Sequence, residues 1–141
     1  MERGLRQGKA RLIGVDTNVL VRLLTADDAG QHRKALDFFG KRSVDSPAYL
    51  SAVTIAETIW VLRLSYKFSH SEILDAVAAL LDTDDFVVEG RAALLAAKEA
   101  GKPALLTDFV VAYLGERGGC SHTVTFDRRA AKAIPSMELL A

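Results

Sequence analysis

Along this chain, short apolar runs alternate with longer stretches in which apolar residues recur at helical spacing. "RLIGV" (Arg11 to Val15) is too short for a helix and predicts a buried strand. "TNVLVRLLT" behind it has helical spacing. "DDAGQHRKALDFFGKR" predicts a second helix, with Ala35, Leu36, Phe38 and Phe39 as its apolar face. "SPAYLS" (Ser46 to Ser51) predicts a short strand that Pro47 opens or places near an edge. In "VTIAETIWVLRLSYKF", Ile55, Ile59, Leu62 and Tyr66 fall on one helix face. Ser69, with Glu72 three residues on, forms a capping box that opens the helix "SEILDAVAALLD". "FVVE" (Phe86 to Glu89) predicts a strand, and "RAALLAAKEAG" a helix stopped at Gly101. The helix "DFVVAYLGERG" and the strand "HTVTF" follow; beyond "DRRAAKAI", "SMELL" reads as a last short strand. Strands alternating with helices predict an α/β domain around a mainly parallel sheet.

At 141 residues the chain fits one domain, assigned to residues 11–141. The basic start at residues 1–10 lacks the apolar core of a signal peptide; it reads as an extension, expected to be disordered at least to Gly8. The formal net charge is zero, so any footprint for a polyanion must be local. Cys120 is the only cysteine, which excludes an intrachain disulfide and fits the cytoplasm. No apolar run approaches the roughly 20 residues of a membrane span.

Four carboxylates fall at comparable joints. Asp16 ends the first predicted strand, Glu57 lies in the helix after the second, Asp108 opens a later helix, and Asp127 follows "HTVTF". Each has an ordinary explanation. Asp16 and Asp127 suit helix N-caps, Glu57 completes a capping box with Thr54, and Asp108 suits a helix dipole. Together they suggest more. Ligands of open α/β sheets bind beyond the carboxyl ends of the strands. Converging carboxylates repel unless a cation joins them. Oxygen-only ligands suit Mg²⁺ or Mn²⁺, and such ions suit phosphate-ester chemistry. His32, His70 and His122 lie outside this set. A P-loop is absent from the sequence.

"IGVDTNVLVRLL", "AVTIAETIWVL", "TDFVVAYLGERGGC" and "TVTFDRRAAK" together resemble the PIN domain family (PilT N-terminal ribonucleases), most of all its VapC-type toxins of toxin–antitoxin pairs. The resemblance runs from about Leu12 to the end of the given sequence. It implies a three-layer α/β/α fold and Mg²⁺-dependent endonucleolytic cleavage of RNA, with water as nucleophile. Asp16 and Asp108 would be the principal metal ligands, with Glu57 and Asp127 completing the shell. Asn18 and Thr125 would be polar supports. The family usually forms homodimers and is inhibited by an antitoxin that covers the active site. Two departures stand out: a longer N-terminal extension, and Lys102, Leu105 and Leu106 where relatives often carry a further acid before Asp108. The latter makes one catalytic metal as acceptable as two.

RNA would need cations near the acids. Arg128 and Arg129 are nearest in sequence to a proposed ligand, with Arg22, Arg63 and Lys67 as further candidates. Trp60 and Tyr66 follow Glu57 at helical spacing, where core or interface packing competes with base stacking. The alternatives are a catalytically silent PIN-like module that binds RNA or protein, and a solitary PIN nuclease of RNA processing. A phosphatase using Asp16 as nucleophile would want an aspartate where Asn18 stands, and a receiver would want paired acids at Asp16.

Overall fold

Every strand among the described residues pairs in parallel, with helices making the crossovers that parallel pairing requires. The computed structural model describes residues 11–140; the expectation for residues 1–10 lies outside them. Strand β1 (Ile13–Gly14) leads into α1 (Thr17–Leu24) and α2 (Ala29–Gly40). Then come β2 (Ala48–Leu50), α3 (Ala52–Leu64), α4 (His70–Leu81), β3 (Phe86–Val88) and α5 (Arg91–Ala100). A 3-10 turn at Pro103–Leu105 precedes α6 (Leu106–Arg117), followed by β4 (Thr123–Thr125), α7 (Arg128–Ala133) and β5 (Met137–Leu139). The whole is a three-layer α/β/α arrangement. None of the described helices is long and apolar enough to cross a membrane.

Strand β2 is central, with Ala48 opposite Ile13 on one side and Phe86 on the other. Strands β4 and β5 form a separate pair, Thr123 opposite Met137. The single sheet expected from the sequence is therefore two parallel ladders among the described residues. Strand β1 supplies only two ladder residues, and of "RLIGV" only Val15 enters the core. Leu12 and Ile13 stay exposed, contrary to the reading of a buried strand. Leu36 is likewise exposed on α2, whose buried side is Ala35 with Phe38 and Phe39 beside it.

Leu20, Leu50, Ile55, Leu62, Ile73, Leu94 and Leu106 are the largest fully buried side chains. Each contributes about 1.5–3 kcal/mol relative to exposure. They unite α1, α3, α4, α5 and α6 over β2, and the face predicted from Ile55 and Leu62 is the buried side of α3. Ser69 and Glu72 make both hydrogen bonds of the expected capping box. Gly101 ends α5 in the left-handed region at φ +66, where a Cβ would be strained. Gly115 permits the close approach of α6 to β4, since a Cβ there would stand 2.8 Å from Thr123 Oγ1.

Candidate active site

Asp16 stands where β1 gives way to α1. Its backbone is extended (φ −79, ψ 157), and its Oδ1 accepts the Thr17 N–H at 2.8 Å. The N-cap explanation thus holds for Asp16, and it leaves Oδ2 without a partner in that cap. The Thr17 hydroxyl donates to Glu57 Oε1 at 2.5 Å, tying the first helix to the third. Glu57 is not part of a capping box. Helix α3 starts earlier, at Ala52, and Ser51 accepts the Thr54 N–H at 3.1 Å. The Thr54 hydroxyl donates instead to the Val15 carbonyl at 3.2 Å, fastening α3 to the end of β1. Glu57, a turn further along, is left to face Thr17. Asp16, Asn18 and Glu57 border one groove of about 610 Å³, with Arg22, Trp60 and Tyr66.

A second carboxylate pair forms between α6 and α7. Asp127 caps α7, its Oδ1 accepting the Ala130 N–H at 3.0 Å, while Thr125 Oγ1 accepts the Asp127 N–H at 3.0 Å. Thr125 therefore fixes the backbone that aims Asp127. Asp108 lies in the first turn of α6, which has no side-chain cap. Burial first, and the nearby charge of Asp127 second, raise the Asp108 carboxyl above its ordinary 3.8; Arg129 acts in the opposite direction. Arg128, the first residue of α7, is exposed.

The four acids thus stand as two pairs. Helices α3 and α6, which carry Glu57 and Asp108, pack against each other. Among the described residues, no three His, Cys, Asp or Glu side chains converge as a metal-holding group.

Arg22 is largely engaged. Its guanidinium meets Gln31 at 2.6 Å, the Tyr66 hydroxyl at 3.1 Å and Asp27 at 3.6 Å. Tyr66 in turn donates to Asp27 at 2.7 Å. That hydroxyl is the chief reason the Asp27 carboxyl lies below its ordinary value. Arg22 and Tyr66 act here as a brace between α1, the loop before α2, and the segment that follows α3. Two residues were missed by sequence reasoning. Thr17 was legible only as the neighbour of Asp16. Glu89, at the end of β3, accepts the Ala52 N–H at 2.7 Å and so caps α3 across the sheet. With burial, it helps raise the Tyr49 phenol.

A family model described as PIN domain matches residues 13–134. That span holds Asp16, Glu57, Asp108 and Asp127. No curated protein matches the chain.

Proposed function

The chain belongs to the PIN domain family, and on that premise we propose that it is a Mg²⁺-dependent endoribonuclease, the cytoplasmic toxin of a toxin–antitoxin pair. The observation that carries this reading is the arrangement of its acids. Asp16 and Glu57 meet through Thr17, while burial first and the nearby charge of Asp127 second disfavour ionisation of Asp108. An oxygen-only donor set of this charge fits a hard divalent cation, Mg²⁺ with Mn²⁺ as substitute, better than zinc. Asp16 and Asp108 would be its principal ligands, with Glu57 and Asp127 completing the shell. When bound, such a cation supplies an acidified water and neutralises charge on a phosphoryl group.

The chain's own residues supply position. Thr17 holds Glu57 through its hydroxyl, Thr125 holds the backbone of Asp127, and Asn18 stands beside Asp16 on the groove. Arg129, close enough to act on Asp108, and the exposed Arg128 would meet the RNA phosphates. Arg22 would contribute mainly through its position on the groove wall.

Helix α3 supports a protein partner. Val53, Trp60 and Leu64 are exposed on it at 66%, 67% and 48%, spaced i, i+7 and i+11 around Glu57. A stripe of this kind suits burial in a homodimer, with an antitoxin segment covering the adjacent groove.

One observation favours a silent RNA- or protein-binding module instead: no three ligating side chains converge among the described residues. Chelation separates the two readings. A hydrolase loses cleavage of a labelled RNA in EDTA and regains it with Mg²⁺; a silent module cleaves under neither condition.

A further inference from the structure

We propose that the groove between the start of α4, the 3-10 turn and α7 is a track for the phosphates of single-stranded RNA, leading the strand away from the Asp108–Asp127 pair. The groove has a volume of about 590 Å³. Its polar lining is basic: His70, Lys102, Arg129 and Lys132, with no carboxylate among the lining residues. Arg129 and Lys132 lie one turn apart on α7 and so share a face. Lys102 precedes the turn, and His70 opens α4. All four are exposed, and among the described residues none forms an ion pair within 4.0 Å. This is notable in a chain whose net charge is zero. Basic residues here share one concave surface whose lining carries no carboxylate.

The groove is tied to the acids through Arg129. Arg129 lines it and acts electrostatically on Asp108, so one side chain belongs to both places. A phosphate held by Lys102 and Lys132 would lie along the strand from one near Arg129. The dimensions favour a single strand. A duplex is recognised by shape over about 16 base pairs, whereas this groove is bounded by a 3-residue turn and a 6-residue helix.

The proposal rests on the ribonuclease reading of the acid pair, and its test is independent of cleavage. A fluorescent dodecamer RNA is titrated with the parent chain and with the double variant Lys102→Glu/Lys132→Glu in EDTA, following anisotropy across a salt series. Both substitutions are at exposed positions, and thermal unfolding confirms that the variant folds. The variant should bind about tenfold more weakly. Losing two phosphate contacts should make the slope of log K against log salt shallower by about 1.4. Lys102→Ala/Lys132→Ala should fall between parent and charge reversal. Parental affinity and slope in the charge-reversed chain would overturn the track, whatever the cleavage assay shows. So would displacement of the RNA by polyglutamate at equal charge concentration, which would assign the groove to an acidic protein. A parent chain that binds through these lysines yet never cleaves would leave the track standing and sink the hydrolase reading.

Discussion

Thr17 donates its hydroxyl to Glu57 Oε1 across 40 positions of sequence, in the residue next to Asp16. One side chain thus joins the carboxylate at the end of β1 to the carboxylate on α3. Without that bond, Glu57 on an exposed helix face would sample several rotamers.

Removing the Thr17 hydroxyl should therefore loosen Glu57 with little cost to the fold, because the bond is solvent-exposed. Thr17→Val is expected to lower kcat for RNA cleavage about tenfold, the low end for groups that orient metal ligands. Thr17→Ser, which keeps the hydroxyl, should restore most of it. A serine variant as slow as the valine variant would show that Thr17 does not act through its hydrogen bond.

Asp108 makes a prediction about pH. Its folded carboxyl is raised, so between 3.8 and its folded value the native chain binds more protons than the unfolded chain. Stability from this group is full below 3.8 and is lost as pH rises through the folded value. Without metal, Asp108→Asn should therefore melt about 1–3 °C higher than the parent at neutral pH, a modest gain because the group is partly solvated. The difference should shrink toward zero on acidification. A variant that melts lower at pH 7 and gains as pH falls would reverse the assignment.

The exposed stripe on α3 predicts self-association. Trp60→Glu, placing a charge at its centre, should convert a dimer to a monomer by light scattering at micromolar concentration, with the unfolding transition of the protomer retained. A parent chain that is monomeric throughout, or a variant that stays dimeric, would move the interface elsewhere.

Much of this fold can be read from periodicity. The Ile55, Ile59, Leu62 and Tyr66 face is buried or half-buried, and Gly101 and the Ser69–Glu72 box stop and start helices where their chemistry dictates. Strand pairing was less legible. "RLIGV" looks like a core strand because apolar runs mark burial, but only Ile13 and Gly14 stand in register with β2, and of the run only Val15 is buried. Leu36 looked core-facing because its neighbours are, and a helix face is narrower than a run of apolar letters. The acids themselves were legible as residues at joints. Their pairing was not, since it depends on the Thr17–Glu57 hydrogen bond and on Asp127 lying near enough to act on Asp108, which no local pattern encodes. The Thr54–Glu57 capping box failed for a local reason: Ser51 outcompeted Thr54 by starting the helix one turn earlier.

The central claim is that Asp16 serves chemistry beyond capping α1, and Asp16→Asn separates the two roles. Asparagine caps a helix about as well as aspartate, so the variant should fold and melt like the parent in EDTA. It lacks the charge that would hold a cation. Single-turnover cleavage of a labelled RNA with saturating Mg²⁺ is the decisive measurement. The account predicts cleavage by the parent that EDTA abolishes, and a variant slower by about a thousandfold. Equal rates for the folded variant and the parent would contradict it.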